Sequence, residues 1–216
     1  MLLESISIYS PLLPILAFLF FRLKERELPL WVIFFYSLCS LANDSIISYR
    51  YERDLSLQPF LAIFTIAEYI LYTGILFYTI QNSLLRKVII VLSTGFILFC
   101  LFSIITNQVT NKFDSIQASL ESLLIIIYCV FYFFEQINKP QVLFIYSTYI
   151  FWAVIAILIS LSCTFFLYVF AANLSEKIKT EFWPIQWIGN IIRSLLFALA
   201  IIIYSRQKKE GQNSHL

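Results

Sequence analysis

Four ionisable side chains, those of Asp44, Glu68, Glu121 and Arg193, lie inside long apolar stretches of this sequence. A charge near the middle of a membrane costs on the order of 3 kcal/mol to insert, so such residues normally face a protein interior and pair there. Carboxylates in that setting bind cations or carry protons, and an arginine binds anionic groups. These residue types therefore indicate an internal ion pair, a polar ligand site, or both.

Glu68 and Arg193 each follow a proline, Pro59 or Pro184, by nine residues. If each proline opens its helix, a rise of about 1.5 Å per residue places both charges roughly 13 Å below the same membrane face. One interpretation is that Arg193 pairs with Glu68 or Glu121 as an internal brace. A brace needs one carboxylate and three are present, so the excess favours an outward-facing polar cavity.

Polar residues recur at three- and four-residue spacing in these stretches, which aligns them along one helix face. The sharpest stripe is Asp114, Gln117, Glu121 and Tyr128. Small hydroxyl residues on such faces also serve ordinary helix packing. The candidate ligand-binding residues are Asp44, Glu68, Glu121, Asn190, Arg193, Asn43, Tyr72, Gln117 and Trp187.

The composition places these residues in a membrane protein. The chain has 216 residues, of which 60% are hydrophobic and only 13% are charged, and its mean hydropathy is +0.83. These values lie far outside the range of a soluble domain. Apolar runs long enough to span a bilayer separate the charge clusters. The predicted helices cover residues 4–21, 30–49, 60–80, 88–106, 113–134, 142–170 and 185–204.

The predicted fold is all-α, with a seven-helix transmembrane domain over residues 1–205 and a disordered basic tail over residues 206–216. More Lys and Arg residues fall in the connections on the side of the tail than on the other side. This bias predicts an N-terminus outside and a C-terminus in the cytoplasm. The first apolar segment begins with Glu4 rather than a basic region, which is typical of a retained helix. Pro11 and Pro14 inside it predict a kink.

Residues missing from the sequence narrow the chemistry. The single histidine, His215, lies in the tail, so a histidine-based zinc site or proton relay is excluded. No Gly-rich phosphate loop and no GxSxG elbow occurs. No hydrophilic block is large enough for a soluble catalytic or DNA-binding domain. We therefore expect no cofactor and no nucleic-acid partner; a metal site built from carboxylates alone stays a minor alternative.

Two pairs of matched positions indicate an internal repeat. Pro59 with Glu68 echoes Pro184 with Arg193, and the stretch Phe34–Ser37 echoes residues 144–147. Two parallel three-helix repeats joined by the fourth helix are a plan known among small solute carriers.

Four short motifs are spread along the chain, Asn43-Asp44, Ile66-Ala67-Glu68, Phe151-Trp152 and Gly189-Asn190-Ile191. Together they resemble a group of small seven-helix bacterial integral membrane proteins. The resemblance implies the seven-helix topology, a place in the bacterial cytoplasmic membrane, and a cavity that includes these polar residues. It implies no reaction, and Arg193 lies outside the shared motifs.

Three functions compete. The first is a ligand-responsive sensor or signalling accessory that binds a small polar or amphiphilic molecule and signals through a separate partner or a homo-oligomer. The second is a small proton-coupled solute transporter built from the two repeats. The third is an intramembrane lipid-modifying enzyme with Glu68 or Asp44 as acid or base, and it ranks last because histidine and metal ligands are missing. Membrane lipids and an unidentified small molecule are the expected partners.

Overall fold

Seven stretches of helix in the structure, a computed structural model, are long and apolar enough to cross a membrane. The structure describes residues 2–21, 27–51, 53, 58–105, 111–139, 145–171 and 176–213, and contains no strand in these ranges. The predicted all-α fold with seven such helices is confirmed; the orientation of the termini stays a prediction. The spans are Leu2–Phe20, Leu28–Arg50, Phe60–Thr79, Ser83–Ser103, Ile116–Ile137, Tyr149–Phe170 and Pro184–Lys208.

Eight α-helices supply these spans, because the first span is divided in two. A 3-10 turn at Ile145–Ser147 precedes the seventh helix. The helices are α1 Leu2–Tyr9, α2 Leu12–Phe20, α3 Leu28–Tyr51, α4 Gln58–Thr79, α5 Ser83–Ile105, α6 Asn111–Ile137, α7 Tyr149–Ala171 and α8 Glu176–Asn213.

The predicted kink in the first span is present as a turn at Ser10 and Pro11. Pro11 lacks the N–H that would donate to the carbonyl of Ser7. The backbone N–H of Ser10 donates to that carbonyl at 3.2 Å, and its hydroxyl donates to it at 2.8 Å. Pro14 likewise lacks the N–H that would donate to the carbonyl of Ser10, and the N–H of Leu13 donates to that carbonyl instead, at 3.0 Å. The chain thus satisfies these carbonyls internally, as a membrane interior requires.

The helix α5 begins at Ser83, five residues before the predicted start. The side-chain oxygen of Asn82 accepts the backbone N–H groups of Leu84, at 2.9 Å, and Leu85, at 3.4 Å. This N-cap satisfies donors that the helix itself leaves unpaired. The basic residues 86 and 87 therefore lie in the first two turns of the helix rather than in a loop.

Both ends of α8 extend beyond the predicted range of 185–204. The helix begins at Glu176 and contains Pro184 in its interior, so the prediction that Pro184 opens the helix was wrong. The polar residues before Pro184 were assigned to a loop. They are helical because a helix satisfies its own backbone N–H and C=O groups in water as well as in lipid. At the other end α8 continues through Asn213, so residues 206–213 are helical where disorder was expected. Residues 214–216 lie outside the described part of the chain.

Six spans form a closed ring, and α5 packs outside it. The first span packs on α3, α3 on α4, α4 on α6, α6 on α7, α7 on α8, and α8 on the first span. Weaker contacts cross the ring between α3 and α8 and between α4 and α7. Only 17% of the apolar span of α5 is buried. The ring divides into two helix triplets, one made of the first span, α3 and α4, and the other made of α6, α7 and α8. When the two triplets are exchanged in this order, each helix–helix contact of the ring has an equivalent contact.

Contacts between helix ends define one end of the bundle, here called the tail end because α8 finishes there. The hydroxyl of Tyr149, at the start of α7, donates to the carboxylate of Glu27, just before α3. The side-chain amide of Gln207 in α8 donates to the carbonyl of Ser147. These bonds hold the ends of three helices together.

Glu135 ties α6 to the α4–α5 connection at this end. Its carboxylate accepts the backbone N–H groups of Gln81, at 2.9 Å, and Asn82, at 3.0 Å, and lies 2.9 Å from the ammonium of Lys139. We expect Glu135→Ala to lower the free energy of unfolding by about 1–2 kcal/mol, because two N–H groups lose a charged acceptor. Lys139→Ala, the control, removes only a partly exposed ion pair and should cost about 0–1 kcal/mol. Equal losses in detergent unfolding measurements would contradict this assignment.

Candidate functional site

Arg193 and Glu68 form an ion pair inside the ring. The guanidinium Nη1 of Arg193 lies 3.6 Å from the carboxylate Oε1 of Glu68, and the two side chains are only 7% and 13% exposed. Counted from the span starts at Phe60 and Pro184, both residues lie roughly 12–13 Å from the end opposite the tail end. One of the two acids proposed from sequence as a partner for the arginine is therefore in contact with it.

Two hydroxyl groups complete the surroundings of the pair. The hydroxyl of Tyr36 in α3 donates to Oε1 of Glu68 at 2.8 Å, and Nη1 of Arg193 donates to Ser160 Oγ in α7 at 3.2 Å. The guanidinium carbon also lies 4.9 Å from the ring centroid of Tyr36, within cation-π range. Each charge thus takes a hydroxyl partner from the middle helix of its own triplet, and the ion pair joins the two triplets.

The other flank of α8 holds the kinked first span. The side-chain amide of Asn190 lies 3.5 Å from the hydroxyl of Ser7, and the hydroxyls of Ser10 and Ser194 lie 3.0 Å apart. Both serines of the first span are therefore held by α8 at the turn where Pro11 removes a helical bond. Asn190 is therefore in contact with the first span.

The α6 stripe contains buried polar groups without partners. Gln117 is 0% exposed and Glu121 is 3% exposed. Both amide atoms of Gln117 and Oε1 of Glu121 have no hydrogen-bond partner in the described part of the chain. Glu121 interacts electrostatically with Glu68 and with the Cys100 thiol. A buried polar group without a partner costs about 1–3 kcal/mol, so this region favours water or a ligand that can hydrogen-bond.

Tyr168 in α7 is a residue that the sequence analysis missed. It interacts electrostatically with Asp44, Glu68, Glu121 and Arg193. Gln186 donates to its hydroxyl at 3.2 Å, while the side-chain oxygen of Gln186 is buried without a partner among the described residues. The four-residue spacing of Ser160, Thr164 and Tyr168 is the signal that would have identified this face of α7.

The remaining candidate residues differ in burial. Asp44 is half-buried and interacts electrostatically with Arg193 and Glu68. Tyr72 is fully buried, with its ring centroid 4.7 Å from that of Tyr36. Asn43 and Trp187 are half-buried. We call the set Asp44, Glu68, Gln117, Glu121, Tyr168 and Arg193 the polar layer.

A second hydroxyl cluster links α4, α5 and α6. The hydroxyl of Tyr69 donates to Ser93 Oγ at 2.8 Å and lies 3.1 Å from the hydroxyl of Tyr128. Tyr128 belongs to the polar stripe recognised from sequence, whereas Tyr69 was not singled out there. This cluster attaches the peripheral α5 to the ring.

Carboxylates buried in a membrane protein are suited to binding protons or cations. Within the described ranges, no three His, Cys, Asp or Glu side chains come together as a metal site.

Comparisons with protein-family models, with curated proteins and with solved structures found no match for this chain. The fold and the spans therefore define the class by themselves, a polytopic membrane protein with seven apolar helices. The resemblance to small bacterial membrane proteins stays a prediction.

A double-mutant cycle tests the ion pair. Glu68→Ala and Arg193→Ala should each lower the free energy of unfolding by about 3–5 kcal/mol, because each leaves a buried charge without its partner. The double variant should cost less than the sum, by about 1–3 kcal/mol. Ser160→Ala, which keeps both charges, should cost only about 1 kcal/mol. The measurement is reversible unfolding in mixed detergent micelles, and strictly additive losses would show that the two charges do not interact.

Proposed function

We propose that the protein binds a small ligand bearing a positively charged, hydrogen-bond-donating group beside Glu121 and Gln117, and acts as a ligand-responsive membrane protein. The observation that carries the proposal is the set of buried, unpartnered atoms on these two side chains. A ligand ammonium supplies the donors that Glu121 Oε1 and the Gln117 carbonyl lack. The Gln117 amide group offers donors to a second polar group of the same ligand.

The charge balance favours a cation over an anion. Arg193 is paired with Glu68 and donates to Ser160, so its guanidinium is already engaged. Asp44 and Glu121 are two further acidic groups of the layer, and no second base is buried with them among the described residues. An anionic ligand would have to displace Glu68 from Arg193, whereas a cationic one relieves repulsion between carboxylates. The proposal therefore keeps the expected cavity residues and assigns Arg193 to bracing.

A sensor built this way depends on another molecule for its output. The helices are joined by short connections, and none of them is long enough for a soluble signalling domain. We propose that ligand binding alters the helix ends at the tail end, where a separate partner or a second copy of the chain reads the change.

A proton-coupled carrier is the second candidate, and the ring favours it. The two helix triplets have equivalent contacts around the ring, which is the arrangement expected of a parallel repeat in small carriers. The charges of α4 and α8 meet between the triplets, and a carboxylate at that depth is suited to proton coupling. In a carrier the triplets would rock about this contact.

Thermal unfolding in the presence of small amines tests the ligand site. We expect methylammonium or ethylammonium to raise the melting temperature of the detergent-solubilised protein by several degrees, since a ligand at 100 times its Kd adds about 2.7 kcal/mol. Glu121→Gln should abolish the rise, because it removes the charge that the ammonium meets. Glu181→Gln, which changes an exposed carboxylate on α8, is the matched control and should keep it.

The proposal fails if neither amine stabilises the wild-type protein, or if the rise survives unchanged in Glu121→Gln. Proteoliposomes separate the two candidates. A carrier should accumulate labelled methylammonium under a proton gradient and lose this activity in Glu121→Gln. Binding without net flux would support the sensor.

A further inference from the structure

A groove with a volume of about 320 Å³ opens at the tail end of the bundle. Its wall is fixed by the hydrogen bond from Tyr149 to Glu27 and by the edge-on packing of Tyr149 and Tyr204, whose ring centroids are 4.9 Å apart. The lining residues are Glu27, Tyr149, Tyr204, Gln207 and Lys208. The groove lies at the opposite end from the polar layer and uses none of its residues, so it is a separate site.

Part of the lining suits an ammonium group. Glu27 supplies a carboxylate, and the aromatic residues Tyr149 and Tyr204 line the groove together with it. Carboxylates attract ammonium groups directly, and aromatic faces add a cation-π contribution of about 0.5–2 kcal/mol. This combination recurs wherever proteins recognise alkylammonium ligands.

The rest of the lining suits a phosphate. Lys208 contributes a basic side chain, and the Gln207 amide, which donates one N–H to the Ser147 carbonyl, carries a second N–H. A lysine ammonium binds phosphate as a point charge. A ligand with only negative charge would meet Glu27, and a ligand with only positive charge would meet Lys208. A ligand carrying both charges matches the groove best.

The groove also lies where lipid head groups lie. The α7 span begins at Tyr149, the α8 span ends at Lys208, and the α3 span begins directly after Glu27. This level is the boundary between hydrocarbon and water, where tyrosine and lysine are favoured. Leu28 and Trp31, which follow Glu27 in α3, are 50% and 40% exposed and offer apolar surface to acyl chains.

We propose that this groove binds a zwitterionic head group in which an ammonium and a phosphate are joined by a short linker, the chemistry of phosphoethanolamine. Glu27 and the two tyrosines receive the ammonium, and Lys208 with Gln207 receives the phosphate. The groove volume lies at the lower limit of small-molecule sites, which fits a head group whose chains remain outside in the bilayer.

Native mass spectrometry of the delipidated protein tests the site with two lipids, phosphatidylethanolamine and phosphatidylglycerol. The wild-type protein should bind phosphatidylethanolamine about tenfold more tightly, the factor expected for one additional charged hydrogen bond. Glu27→Gln should remove most of this preference by weakening phosphatidylethanolamine alone, because a glutamine still accepts the bond from Tyr149 but carries no charge. Lys208→Gln should weaken both lipids, since both contain a phosphate.

Lys139→Gln is the matched control, because Lys139 lies at the same end just after α6 and contacts Glu135 outside the groove. This variant should leave the preference unchanged. Free phosphoethanolamine is then added as a competitor. Displacement of the bound lipid would show that the head group alone is sufficient for binding, and retention of the lipid would identify the intact lipid as the ligand. Both outcomes support a zwitterion site. Equal binding of the two lipids by the wild-type protein, or a preference that persists in Glu27→Gln, would overturn it.

Discussion

The ion pair between Arg193 and Glu68 is the contact on which the rest of the bundle depends. A lone arginine at this depth would oppose insertion of α8, and removing its partner would leave a buried charge that costs several kcal/mol. The pair joins α4 to α8, and Tyr36 and Ser160 extend it to α3 and α7. Four helices from both triplets are thereby held in one register, since hydrogen bonds of this geometry tolerate little sliding.

The same constraint explains how the first span is built. Two prolines remove backbone donors inside hydrocarbon, where no water replaces them. Ser10 satisfies the carbonyl of Ser7 with its own N–H and hydroxyl, and both serines then meet polar side chains of α8. The kink is therefore fixed on both sides. In contrast, Gln117 and Glu121 are buried and unpartnered among the described residues, which is why the proposed ligand belongs with α6 and not with the kink.

The sequence predicted the spans well because hydrophobic length is a local property. The contact of Glu68 with Arg193 was also predictable, since each is a costly charge and their depths match along their helices. Predicted helix starts failed at Ser83 and Glu176, where polar residues belong to helices that begin outside the hydrocarbon. Hydropathy cannot detect such starts, although Asn82 is a recognisable N-cap.

Partners within the polar layer were harder to predict because periodicity gives the face of a helix but not the neighbour it meets. Asn190 and Arg193 were assigned to one site, yet three residues of helix rotate one side chain by about 60° from the other. Asn190 accordingly contacts the first span, and Arg193 contacts α4 and α7. Tyr36 and Tyr168 were missed because their rings looked like ordinary aromatic packing, while their hydroxyls carry the contacts.

Exchanging the two charges tests the central claim most directly. Glu68→Arg or Arg193→Glu alone creates a buried pair of like charges, and we expect either variant to lose the folded, monodisperse protein in size-exclusion chromatography. The combined variant should recover most of the wild-type yield and a cooperative melting transition, because the hydroxyls of Tyr36 and Ser160 can donate or accept and so serve either arrangement. A combined variant as poorly folded as the worse single one would contradict the claim that this pair joins the two halves of the bundle.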